Sequence, residues 1–145
     1  MEDEDDRIPE PDSKGYLSLT NRAWVHLDPV LFGYSLSLVS LDVSYNSILE
    51  LPVQIGELVV LREFRCSFNK LKFLPVEIGR LKRLRKLHAQ GNRLTALPIE
   101  VGRLEMLEEL ILSENEMEEL PDTISLLTNL RIFKLQNNKL RALPY

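Results

Sequence analysis

The 145-residue chain holds one cysteine, Cys66, so no internal disulfide can form. Its two histidines, His26 and His88, lie far apart and neither has metal-ligand spacing to Cys66, which argues against a zinc site. There is no glycine-rich phosphate loop and no serine elbow. With no convergent reactive groups, the sequence predicts neither catalysis nor a bound cofactor. No run approaches the ~18 apolar residues that span a bilayer, and no Asn-x-Ser/Thr glycosylation site occurs. The acidic, polar N-terminus is the opposite of a secretory signal or mitochondrial presequence. These absences predict a reducing compartment, with the cytoplasm as the default, and no membrane contact.

Charge is plentiful but unevenly placed. Of 22 acids and 18 bases, seven acids and Arg7 fall in residues 1–12, so residues 13–145 hold 15 acids against 17 bases. Residues 1–12 have too little apolar surface to offset the entropy of ordering and are expected to form a disordered acidic tail. The remainder, 13–145, is one domain's worth of sequence and long enough to bury a continuous core.

From Leu36 the chain aligns with itself every 23 residues without a gap, restarting at Val59, Lys82, Glu105 and Thr128. The third position reads Leu38, Leu61, Leu84, Leu107, Leu130, and the sixth reads Leu41, Phe64, Leu87, Leu110, Phe133. The eighth reads Val43, Cys66, Ala89, Leu112, Leu135. Asparagine holds the eleventh place each time, at Asn46, Asn69, Asn92, Asn115 and Asn138. A Leu-Pro pair follows, from Leu51-Pro52 to Leu143-Pro144. The units are thus 36–58, 59–81, 82–104, 105–127 and a partial 128–145, preceded by a degenerate unit at 13–35. That leading unit is one residue longer, with Arg22 in place of asparagine and Asp28 in place of proline. First repeats meet water, so departures there are expected.

Period-two alternation around the sixth and eighth places predicts a short strand with one inward and one outward face. Stacked units would place these strands in one parallel sheet. The asparagine must be polar yet internal, with its amide serving backbone groups of adjoining coils. Proline turns the chain outward, and the following segment returns as a short helical or 3-10 stretch. Gly56, Gly79 and Gly102 are expected at tight or left-handed positions there, and Ser125, which replaces the fourth glycine, is expected to be slightly strained. Cys66 takes an inward place, as a core residue and not a nucleophile.

The pattern Leu-x-x-Leu-x-Leu-x-x-Asn-x-Leu-x-x-Leu-Pro-x-x-Ile-Gly-x-Leu is carried almost letter for letter by Leu61 to Leu81. It resembles the 23-residue class of leucine-rich repeats found in intracellular Ras-associated scaffolds, their plant relatives and Scribble-type polarity proteins. The resemblance implies an α/β fold, a right-handed horseshoe solenoid with a parallel concave sheet and short helical or 3-10 segments on the convex side. It also implies a protein partner, with small-GTPase signalling or polarity components as the candidates. Extracellular repeats of this kind usually carry cysteine pairs at their ends, and this chain has none.

Alternation then names the concave residues. Asp42, Arg65, His88, Ile111 and Lys134 lie between the two buried places, and Tyr45 and Phe68 share a rim beside Arg65. Aromatic and arginine side chains commonly anchor interfaces, so these seven form the candidate protein-binding face.

Charge is banded by unit: +3 over 59–81, +5 over 82–104 and −8 over 105–127. Stacking should bring Lys82 over Glu105, Arg85 over Glu108, Lys86 over Glu109 and Arg93 over Glu116. Glu116 would then meet Lys139, and Glu118 would meet Arg141. Such cancellation, and the lack of an aromatic stacking platform, argue against a nucleic-acid patch at Arg80, Lys82, Arg83, Arg85 and Lys86.

The leading functional expectation is a non-catalytic scaffold for protein–protein interaction in intracellular signalling. Two alternatives stand beside it. One is a structural subunit docking through the apolar end bordered by Leu130, Phe133, Leu135, Leu140 and Leu143. The other is a regulatory piece of a larger enzyme.

Overall fold

The computed structural model describes residues 7–141. Six three-residue strands form one parallel sheet in sequential order: β1 (Tyr16–Ser18), β2 (Ser40–Asp42), β3 (Glu63–Arg65), β4 (Lys86–His88), β5 (Glu109–Ile111) and β6 (Ile132–Lys134). Register follows the sequence period, with Leu41, Phe64, Leu87, Leu110 and Phe133 aligned across five strands. Leu17 pairs with Leu41, a step of 24, so the extra residue of the leading unit is absorbed outside its strand. Between strands the chain crosses the opposite side as 3-10 turns at Pro29–Tyr34, Val53–Glu57, Val76–Arg80, Ile99–Arg103 and Asp122–Leu126. This is an open leucine-rich-repeat solenoid.

The core is a single ribbon of recurring side chains. Leu38, Leu61, Leu84 and Leu107 are wholly buried, as are Leu41, Phe64, Leu87 and Leu110 and the smaller Val43, Cys66, Ala89 and Leu112. Burial, with a smaller push from the Asp42 charge, raises the Cys66 thiol to about 12, so it stays protonated at physiological pH. At the far end Ile132 and Phe133 of β6 are exposed. Leu143, Pro144 and Tyr145 lie outside the described residues.

Proline starts four of the five 3-10 turns, with Pro52, Pro75, Pro98 and Pro121 in extended backbone just before them. In the leading coil Asp28 takes over that position, and its carboxylate accepts from the Val30 amide at 3.0 Å. Gly56, Gly79 and Gly102 are tight but not left-handed. A Cβ on Gly79 would stand 2.7 Å from the Glu100 carbonyl oxygen, and one on Gly102 would stand 2.6 Å from the Thr123 Cβ. Glycine is therefore required by the coil stacked on top, not by its own φ. The strain expected at Ser125 is absent: the side chain is exposed and its hydroxyl donates to the Asp122 carbonyl at 3.0 Å.

Residues 1–6 of the expected tail lie outside the described residues. Its later part is placed: Ile8 is half-buried against the core, and Asp12 accepts from the amides of Lys14 and Tyr16, each at 2.9 Å. Contacts with the repeat body thus include residues ahead of 13. Among the described residues no helix is long and apolar enough to cross a membrane, and no group of three or more His, Cys, Asp or Glu stands ready to hold a metal ion.

Candidate functional site

The inner wall is held in place by the asparagine ladder beneath it. Asn92 Nδ2 donates to the carbonyls of Cys66 and Ala89, both at 3.0 Å, while its Oδ1 accepts from the Leu71 amide at 3.0 Å. Asn69 repeats the arrangement with Val43, Cys66 and Ile48, and Asn115 with Ala89, Leu112 and Leu94. Each amide links its own coil to the one before, so the loops beyond the strands are satisfied although no sheet serves them.

One residue before each asparagine, the backbone enters the left-handed region. Asn21, Tyr45, Phe68, Gly91, Glu114 and Asn137 all have φ between 54° and 69°. This lets the amides of the first five reach the next coil, as Tyr45 N does to Ser67 O at 2.9 Å and Phe68 N to Gln90 O at 2.8 Å. Asparagine and glycine take such a φ readily, whereas a bulky aromatic there is an outlier costing about 1–2 kcal/mol. Tyr45 and Phe68 bear that cost side by side. Their rings stack with centroids 4.9 Å apart and planes within 14°. Phe68 can lie flat because its other neighbour is Gly91, where a Cβ would fall 2.4 Å from the ring. Tyr45 remains 55% exposed.

At the start of β3, on the strand that leads to this rim, Glu63 is a hub. Its Oε2 accepts from Arg65 Nη1 at 3.1 Å and Ser40 Oγ at 3.3 Å, and its Oε1 lies 3.4 Å from Lys86 Nζ. Partial burial pushes its carboxyl upward, but the bond and charge of Arg65 and the charge of Lys86 outweigh that and hold it below its ordinary value. Arg65 is thereby oriented rather than loose. Asp42 accepts from the Ser44 amide at 2.9 Å. His88 Nε2 lies 3.0 Å from Glu109 Oε2.

The seven residues expected on this face are thus mostly where alternation puts them. Asp42, Arg65 and His88 are half-buried on adjacent strands, Lys134 is exposed on β6, and Tyr45 and Phe68 meet on the rim. Ile111 is the correction: at 7% exposure it is buried, an apolar side chain in register between the longer His88 and Lys134. It supports the wall instead of offering a contact.

The expected ion-pair ladder also needs correction. Of the expected pairs, Glu116–Lys139 alone forms among the described residues, at 3.9 Å. Lys86 turns back to Glu63 instead of forward to Glu109, and Lys82 donates to the Arg103 carbonyl at 3.2 Å. Sequence reasoning missed the Glu63 hub and the left-handed column. The column had a signal: Asn21, Gly91 and Asn137 in equivalent places mark a position suited to positive φ.

The leucine-rich-repeat family matches this chain over residues 37–58 and 82–140. The chain carries leucine-rich repeats. It is similar to a leucine-rich-repeat protein of Leptospira interrogans, with 28% identity and a TM-score of 0.71 over 92% of this chain and 46% of that one. It is also similar to the ectodomain of the receptor kinase SOBIR1 from Arabidopsis thaliana, with 27% identity and a TM-score of 0.72 over 88% of this chain and 70% of that one. A third likeness is the plant peptide hormone receptor RGFR1 in complex with RGF2, with 28% identity and a TM-score of 0.71 over 78% of this chain and 19% of that one. This leucine-rich-repeat chain therefore spans less than half of the Leptospira protein and about a fifth of the hormone receptor. No curated protein sequence matches it.

Proposed function

We propose that this chain is a non-catalytic protein-interaction scaffold of intracellular signalling, working in the cytoplasm and engaging its partner on the concave wall. The anchor is the Tyr45–Phe68 stack with Arg65 beside it. One observation carries the reading: two aromatic rings sit at left-handed backbone positions that disfavour them, stacked, with Tyr45 open to solvent and Phe68 half-buried beneath it. Outliers that the fold does not require are where function is sought. Other coils fill this place with Asn21, Gly91, Glu114 and Asn137, so the backbone needs the left-handed φ but not an aromatic side chain.

A rigid aromatic pair loses little side-chain freedom on contact, and an arginine already oriented by a carboxylate is pre-organised for a hydrogen-bonding partner. The repeats resemble those of Ras-associated and Scribble-type scaffolds, which makes small-GTPase or polarity components the first partners to try. A neighbour of the same fold, the plant peptide hormone receptor RGFR1, forms a complex with RGF2.

The test is affinity capture with mass spectrometry, comparing the wild-type chain with a Tyr45→Ala, Arg65→Ala, Phe68→Ala variant shown by circular dichroism to stay folded. Loss of specific partners is the expected result. Undiminished capture by the folded variant would overturn the reading.

A further inference from the structure

At one edge of the inner wall, just before the strands begin, the fourth positions of successive coils form a column of Val39, Arg62, Arg85 and Glu108. Backbone bonds fix their spacing: Arg62 N donates to Val39 O at 2.7 Å, Arg85 N to Arg62 O at 2.7 Å and Glu108 N to Arg85 O at 2.8 Å. These four, with Tyr16, Glu63 and Lys86, line a cleft of about 210 Å³. The two arginines are exposed and sit on adjacent coils, about 5 Å apart along the stack. A larger cleft beside the Asp12 turn holds Glu10, Asp12 and Lys14, and there the Asp12 carboxylate already accepts from the Lys14 and Tyr16 amides.

Within the cleft Lys86 pairs with Glu63, but the charges of the two arginines are not cancelled by contact. Glu63 is taken by Arg65, Lys86 and Ser40. Glu108 was the acid that stacking should bring to Arg85, yet among the described residues neither Arg62 nor Arg85 makes an ion pair. Two guanidinium groups one coil apart repel each other, and each presents a planar donor fork that fits a carboxylate or phosphate oxygen pair. Tyr16, half exposed, and Val39 supply an apolar wall for whatever carries that oxyanion.

We infer that the Arg62–Arg85 cleft binds an oxyanion, a phosphate monoester or a carboxylate, borne on a side chain of a protein partner. Its identity as a partner's group rests on the interaction reading above; the anion site itself does not. Glu108 limits the site, disfavouring ligands with a second negative charge further along the cleft.

The probes are phenylphosphate, benzoate and inorganic phosphate, titrated into the isotope-labelled full chain and followed by NMR. Saturable binding is expected, with shift changes centred on Tyr16, Arg62 and Arg85, weakening as salt is raised. The Arg62→Gln, Arg85→Gln variant should bind about ten- to a hundredfold more weakly. Arg83→Gln, an exposed arginine outside the cleft, should leave affinity unchanged, and Glu108→Gln should raise it. Preference for phenylphosphate assigns a phosphorylated residue; preference for benzoate assigns a carboxylate. Absence of saturation with all three probes overturns the inference, as does equal binding by the double variant or equal weakening by Arg83→Gln. The partner-capture variant alters different side chains, so either proposal can fail while the other stands.

Discussion

The eleventh position and the seventh position of each coil teach opposite lessons. At the eleventh, Asn46, Asn69, Asn92, Asn115 and Asn138 repeat one residue in one hydrogen-bonding role. At the seventh, Asp42, Arg65, His88, Ile111 and Lys134 share nothing but their place on the sheet. Stacking dictates the first set, because a buried backbone group without a partner costs more than any alternative side chain offers. It leaves the second set open. A repeat protein thus serves as its own control: what recurs is fold, and what varies between coils is available for recognition.

The largest effect should come from the recurring core. Leu87→Ala should lower the unfolding free energy by about 2–5 kcal/mol, since it leaves a cavity between two coils; urea denaturation measures it. A loss under 1 kcal/mol would break the comparison at its base. Asn92→Ala should cost about 1–3 kcal/mol by stranding the carbonyls of Cys66 and Ala89 and the amide of Leu71. Gln90→Ala, half-buried two residues earlier, is the control and should stay within about 0.5 kcal/mol. Similar midpoints for the two would remove the ladder from the account.

Gly91→Ala should cost about 1–2 kcal/mol for its left-handed φ, and it should also displace the Phe68 ring. Fluorescence or NMR of the Tyr45 ring would report that displacement. By contrast, Phe68→Asn should change stability by less than about 1 kcal/mol, because relief of backbone strain offsets the lost ring stack. If Phe68→Asn destabilised as much as Asn92→Ala, the aromatic pair would be structural and the functional assignment of the rim would lose its ground.

The smallest effect is a pH dependence at the Glu63 hub. Its carboxyl is held below its ordinary value, so its contribution to stability is present above the ordinary carboxylate range and lost as pH falls through the lowered folded value. Glu63→Gln should flatten the acid limb of the stability curve as pH falls through and below the ordinary carboxylate range. A variant as acid-sensitive as wild type would show the hub to be loosely held.

The fold was legible because its determinants are local and repeated. Apolar residues at the third, sixth and eighth places set the strands, the register and the buried face, and even the extra residue of the leading unit reappears as the step from Leu17 to Leu41. Side-chain partners were less legible. Equal spacing along the stack puts Lys86 as near to Glu63 as to Glu109, and periodicity carries no preference between them; the structure shows Lys86 with the first and His88 with the second. Ile111 was misjudged for a related reason: alternation gives the direction of a side chain but not the size of its neighbours. For Gly56, Gly79 and Gly102 the sequence leaves a tight or a left-handed position open, and the structure takes the first: the atom that crowds Gly79 belongs to Glu100 in the next coil.

The asparagine ladder also has a direction. Asn69 secures the Ile48 amide of the coil before it, Asn92 the Leu71 amide, Asn115 the Leu94 amide and Asn138 the Met117 amide. During synthesis a coil emerging from the ribosome therefore carries an unanswered loop until the next 23 residues follow it out. Assembly on the nascent chain should proceed as a zipper that always trails translation by one tooth.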